Sequence, residues 1–302
     1  MTSAASSSSF PVSGLRSVEL TVRDLDAAAR FYTQIWGLTE ARRTPDVVWL
    51  RSAGTDPYVV RVTRGAASAV ESVTFRAAPH TDLAALRGAL VDAGAQAVGE
   101  IAAVDDVGGG DGFVVRDSVG RLFRVVQGDV RVPPLASTTS QPGRLAHVNI
   151  NTADIERDIR FFERGLGFRL TDRSAAMAFV RTNDDHHAVV LAKAPVDTLN
   201  HIAFNHDAWE DVMKASGRMC DAGYPIGWGP GRHGPGDNVF MYFVDPCGFV
   251  IEHTAEVLVV DDTYRPGGPA DWVWPEGRID QWGIAPPKTD ECKAAQLAIP
   301  FV

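Results

Sequence analysis

Leu145-Ala-His-Val-Asn-Ile-Asn-Thr152 decides the fold, because Leu15-Arg-Ser-Val-Glu-Leu-Thr-Val22 has the same grammar 130 residues earlier. Both stretches alternate apolar and polar residues as a half-buried strand does. Each is followed by an acidic residue placed to cap a helix, Asp154 or Asp24. An amphipathic helix follows, through Phe161 or Phe31, and closes on Gly167 or Gly37. Later landmarks keep this register. Val70–Phe75 corresponds to Leu199–Phe204, Asp92-Ala-Gly94 to Asp221-Ala-Gly223, and Asp117–Arg124 to Asp245–Glu252, with the spacing drifting only from 130 to 128. Agreement over so long a stretch is a duplicated domain.

Each half divides again into two units that open with a strand and a helix and close with strands. This predicts an α+β fold of two tandem domains, each of paired βαβββ modules forming a curved mixed sheet around a cavity, with helices outside. The expected boundaries are a Ser/Ala-rich disordered tail over 1–13, a first domain over 14–126, a linker over 127–143 marked by Pro133-Pro134, a second domain over 144–260, and an arm over 261–302. Trp272, Trp274 and Trp282 in the arm predict that it packs over the second domain, since that much aromatic surface is costly to leave in water.

Bulk properties narrow the function. A net charge of -9 without a Lys/Arg cluster argues against a nucleic-acid partner. No apolar run approaches the roughly 20 residues of a membrane span, and the first ten residues lack the basic and apolar regions of a signal peptide. A cytoplasmic setting is the expectation. Cys220, Cys247 and Cys292 form no C-x-x-C pair, so neither a disulfide framework nor a thiolate zinc site is expected, and they read as small buried residues. Of the eight histidines only His80 precedes residue 147, which directs attention to the second half.

The two copies differ in chemistry at three positions. His147 replaces Ser17, His201 replaces Ser72, and Glu252 replaces Arg124, each on a predicted strand. The last closes the hairpin Val239–Val244, Asp245-Pro-Cys-Gly248, Phe249–Glu252, where a lone buried carboxylate requires exposure, an ion-pair partner or a metal. Two neutral imidazoles and one carboxylate are the facial triad suited to non-haem Fe(II), with Mn(II) close behind. Zinc accepts the same ligand types, but the H-E-x-x-H helix motif is absent.

Leu-Ala-His147-Val, Leu-Asn-His201-Ile-Ala-Phe and Tyr242-Phe-Val-Asp-Pro-Cys-Gly-Phe-Val-Ile-Glu252 resemble the motifs of the type I extradiol ring-cleaving dioxygenases, within the vicinal oxygen chelate superfamily, in their two-domain form. The resemblance covers about residues 14 to 285. It implies an Fe(II) site, with Mn(II) as the other candidate, held by His147, His201 and Glu252, and a first domain that has lost its metal. It implies an acid/base histidine at His187, and His233 and Tyr242 as groups that hydrogen-bond the substrate. The implied reaction cleaves the ring of a catechol with O2. The same superfamily holds metal-dependent isomerases, epimerases and thiol transferases, commonly with two carboxylate ligands, and metal-free proteins that sequester small molecules. Self-association through a sheet edge is also expected.

Overall fold

The computed structural model describes residues 10–136 and 140–302. Residues 1–9 of the expected tail and 137–139 of the expected linker lie outside the described residues. Strand β1 already begins at Val12, and Phe10 is buried with the guanidinium groups of Arg169 and Arg181 at 4.8 and 5.2 Å from its ring. The ordered chain therefore starts before residue 14, because an aromatic ring near the start finds two cations to pack against.

The first domain contains β1 (Val12–Val22), α1 (Leu25–Phe31), β2 (Thr39–Arg43), β3 (Val47–Arg51), β4 (Val60–Arg64), β5 (Ala69–Ala77), α2 (Leu83–Asp92), β6 (Gln96–Ala103), β7 (Asp111–Arg116) and β8 (Leu122–Gln127). The second repeats the order with β9 (Arg144–Thr152), α3 (Ile155–Arg160), β10 (Arg169–Arg173), β11 (Met177–Arg181), β12 (Val189–Lys193), β13 (Thr198–His206), α4 (Trp209–Asp221), β14 (Trp228–Arg232), β15 (Val239–Val244) and β16 (Val250–Ala255). The strand orders are β2-β3-β4-β1-β5-β8-β7-β6 and β10-β11-β12-β9-β13-β16-β15-β14, the same path twice. Each module's last strand returns parallel to its first, which its crossover helix permits, and the two first strands of a domain pair antiparallel at the centre. Two βαβββ modules per domain are thus joined into one mixed sheet.

The predicted caps form. Asp24 accepts from the amide of Ala27 at 2.9 Å and Asp154 from that of Arg157 at 3.0 Å. Each helix then widens into a π-helical turn, Tyr32–Trp36 and Phe161–Gly165. The first turn closes at Gly37, whose φ of 97° suits glycine. These turns carry aromatics into the other domain. Phe161 and Phe162 meet Phe123 at 5.1 and 5.6 Å, while Trp36 stacks on His253 at 3.6 Å and meets Phe204 edge-on at 5.3 Å. Arg218 donates to the carbonyls of Ile35 and Trp36, Tyr32 donates to Asp245 at 2.8 Å, and Arg121 pairs with Asp158 at 2.8 Å. The two domains share one continuous apolar core.

Beyond Ala255 the arm runs across the second domain to α5 (Asp290–Ala298) and β17 (Ile299–Pro300), which pairs with the start of β13. Cys292 of α5 is buried, but Cys247 is only partly so and Cys220 is exposed. The expectation of three buried cysteines fails because Cys220 lies on the outward face of α4.

Candidate metal centre

The sheet brings three side chains into one row. In β9–β13–β16, Ala203 faces His147 on one side and Glu252 on the other, and His201 lies two residues along β13 on the same face. Ala203 is small, so the row stays open. Glu252 is not at a strand end as expected. β16 continues through His253, Thr254 and Ala255, because β13 and β15 both go on pairing with it.

His147 Nε2 lies 3.1 Å from His201 Nε2, and Glu252 Oε2 lies 3.3 and 3.0 Å from the two nitrogens. All three residues are buried, and Glu252 Oε2 has no hydrogen bond among the described residues. Hydrogen-bond partners identify the ring protons. His201 Nδ1 faces the Oδ1 of Asn200 at 2.9 Å, an atom that also accepts from Gln296 Nε2, so it must donate there. Its Nε2 is then a bare lone pair. Burial pushes the His201 pKa down to about 4, which keeps the ring neutral near pH 7.

Acceptors so close, with no proton to share, repel unless a cation joins them. Donors about 2.1 Å from a common centre and mutually perpendicular stand about 3.0 Å apart, and the observed edges agree. The residues therefore fit a mononuclear divalent metal. The first copy shows the contrast. There Glu19, at the place of Asn149, accepts from Ser17 at 2.6 Å, Ser72 at 2.7 Å and Thr74 at 2.8 Å, while Arg124 turns to Asp106 at 2.9 Å. Hydroxyl donors satisfy that carboxylate without a cation.

The triad opens into a cavity of about 340 Å³. His187, His233 and Tyr242 all line it. Tyr242 pairs directly with Glu252 across the β15–β16 hairpin, and its hydroxyl is 3.1 Å from His233 Nε2. Burial and the nearby carboxylate push the Tyr242 pKa well above its ordinary value, so it remains a phenol, and burial pushes His233 down to about 3. His187 lies beside His147, with its Nε2 3.1 Å from that ring's Nδ1. The loop Gly234–Asn238 closes over it. A Cβ on Gly236, at φ +82°, would come within 2.7 Å of His187 Cε1.

Sequence reading left open the role of Asp237 and whether Trp272 and Trp274 roof the pocket, and it missed Lys288 and Gln296. Asp237 holds this rim loop in place, pairing with Arg232 at 3.1 Å and accepting from Gln281 at 2.7 Å. Trp272 and Trp274 of the arm line the cavity, which carries the arm into the site. So does Lys288, whose ammonium sits 4.5 Å from the Trp228 ring centroid and donates to Gln296 Oε1 at 2.6 Å. Nothing in the arm's composition marked Lys288 or Gln296, because their partners are set by the docking of α5.

Behind the metal row, His206 Nε2 is 2.9 Å from His253 Nδ1, and both rings are buried rather than solvent-facing. Burial pushes the His206 pKa down to about 3. The unfolded chain binds its proton near pH 6.5, whereas the fold refuses it until near 3. Stability is therefore full above pH 6.5 and is lost as pH falls through that window. The melting temperature of the metal-free protein should fall between pH 7.5 and 5.5; a flat profile would contradict the assignment.

Comparison with known proteins adds three findings. Residues 144–253 match the glyoxalase/bleomycin resistance protein/dioxygenase superfamily and residues 17–126 match a glyoxalase-like domain. Metapyrocatechase 2 of Cupriavidus necator is 34% identical over 185 residues, which cover 58% of this chain; the match spans 50% of the relative's own length. Among solved structures, the Mn(II)-bound glyoxalase of Novosphingobium aromaticivorans is 31% identical, with a TM-score of 0.88, over 93% of this chain and 94% of that one. Homoprotocatechuate 2,3-dioxygenase of Brevibacterium fuscum, solved with 3,4-dihydroxyphenylacetate, shares the fold at 22% identity with a TM-score of 0.82, over 96% of this chain and 93% of that one. Among the described residues, no helix is long and apolar enough to cross a membrane.

Proposed function

We propose that this chain, which belongs to the glyoxalase/bleomycin resistance protein/dioxygenase superfamily, is an extradiol dioxygenase that opens the ring of a catechol-type substrate with O2. The observation that carries the reading is the meeting of three potential donors, His147 Nε2, His201 Nε2 and Glu252 Oε2, beside a cavity that also presents His187, His233 and Tyr242. Fe(II) or Mn(II) held by those donors supplies the redox-active centre at which a vicinal diol and O2 meet.

The chain's own residues do the rest. Phe179, Val190 and Trp228 give the cavity apolar walls that fit a flat ring and exclude water. Tyr242 donates its phenolic proton to a substrate oxygen, and His233, hydrogen-bonded to that hydroxyl, fixes its direction. His187 offers its Nε2 lone pair to a substrate hydroxyl in exchange for the hydrogen bond it accepts from His147, and returns the proton when the ring opens. The reading includes a cytoplasmic setting and self-association, which light scattering would check.

Similarity to a Mn(II)-bound glyoxalase favours a second reading, a metal-dependent isomerase or thiol transferase. The donor set argues against it, since Glu252 is the one carboxylate among the three described donors. Oxygen uptake separates the readings. Protein loaded with Fe(II) or Mn(II) should consume one O2 per catechol opened, and loaded protein that consumes none with a broad panel of vicinal diols would sink the dioxygenase.

A further inference from the structure

Asp172 in β10 and His186 ahead of β12 have no part in the scheme above, yet both are fully buried. His186 reads in sequence as a neighbour of His187 and nothing more. In the structure they begin a chain. Asp172 Oδ2 lies 2.8 Å from His186 Nε2, His186 Nδ1 lies 3.0 Å from His187 Nδ1, and His187 Nε2 lies 3.1 Å from His147 Nδ1. The carboxylate is held by two more donors, the Gly267 amide at 2.5 Å and the Tyr264 hydroxyl at 3.1 Å.

A carboxylate only accepts, so with each imidazole neutral the direction of every later bond follows from it. His186 must carry its proton on Nε2, which leaves Nδ1 as an acceptor. His187 then donates from Nδ1 and accepts at Nε2. His147 in turn donates from Nδ1, and its Nε2 is left bare toward His201 and Glu252. Reversing any one link sets two lone pairs or two protons against each other at about 3 Å, a mismatch that burial leaves uncompensated by water. We infer that the Asp172–His186 pair is a positioning device that acts through His187 to hold the His147 proton on Nδ1, so that Nε2 is always presented as a ligand.

The internal duplication supports this independently. By the strand registers, Asp172 corresponds to Arg42, His186 to Pro57 and His187 to Tyr58. The whole chain of acceptors and imidazoles occurs only in the copy that has the histidine and glutamate donors. A packing role common to both domains would not sort that way.

The inference rests on His147 being a ligand, and its test needs no turnover. In full-length metal-free protein with 15N-labelled histidine, long-range proton–nitrogen correlations should show His147 protonated at Nδ1. In Asp172→Asn the amide nitrogen facing His186 donates instead of accepting, so the chain reverses and His147 shifts toward Nε2–H. Mn(II) affinity should fall about 10–100-fold, the usual effect of losing a partner one step behind a ligand. Tyr264→Phe removes a different Asp172 contact and should leave both readouts near wild type. An unchanged tautomer and affinity in Asp172→Asn, or an equal loss in Tyr264→Phe, would overturn the inference. If Asp172→Asn does not fold, His186→Phe carries the test, since it keeps a ring but offers His187 no nitrogen; unchanged Mn(II) affinity there also overturns it. A protein that binds Mn(II) as expected but consumes no O2 would defeat the proposed activity and leave this inference standing.

Discussion

Glu252→Gln is expected to lose the metal without losing the fold. The amide matches the carboxylate in shape but brings no charge, and Mn(II) or Fe(II) affinity should fall by more than about 100-fold, the upper end for partners that only support a ligand. Stability should respond in the opposite sense. In the metal-free protein, Glu252 Oε2 faces two imidazole lone pairs at 3.3 and 3.0 Å with no proton between them. A glutamine N–H can fill that gap, so the metal-free variant should melt no lower than the metal-free wild type. The rise in melting temperature that added metal gives the wild type should vanish. Calorimetry with and without Mn(II) checks both halves, and a variant that still gains stability from the metal would refute the ligand assignment.

His187→Ala separates chemistry from binding. With metal at saturating concentration the site still fills, because His147, His201 and Glu252 remain. The rate of ring opening should nevertheless fall about 10²–10⁴-fold, the usual contribution of a placed acid/base group. Oxygen uptake and metal content on the same sample decide this. A rate within tenfold of wild type would remove His187 from proton transfer.

Legibility in the sequence followed distance along the chain and the presence of an internal reference. The duplication made the architecture readable, since each strand and cap could be checked against a second version of itself. The same comparison picked out His147, His201 and Glu252, because Ser17, Ser72 and Arg124 stand in their places. What it could not supply was anything that depends on the docking of unlike segments. Asn200 and Gln296 come together only when α5 lies against β13, and Lys288 reaches the cavity by the same packing. Asp172 carried no signal, because a lone aspartate in a strand pattern reads as solvent-facing, and its burial is made tolerable by Gly267 and Tyr264, more than 90 residues away. Glu252 was read as a strand end because the polar residues after it, His253 and Thr254, imitate a surface. His253 is in fact packed against Trp36 of the first domain, and Thr254 is buried within the second, bonded to Asn238 and the Val239 carbonyl.

That last feature bears on how such a chain can change over time. His253, the residue after the Glu252 donor, is covered by Trp36 of the first domain at 3.6 Å, and Arg218 grips the backbone that carries Trp36. The copy without metal donors is therefore not spare sequence free to drift or be deleted. It is the back wall of its sister's site, and a shortened gene that kept every ligand would still leave the glutamate strand facing water. Selection on the donor triad of one half extends to the aromatic residues of the other, so the two halves are tied to a common fate although only one of them carries the donors.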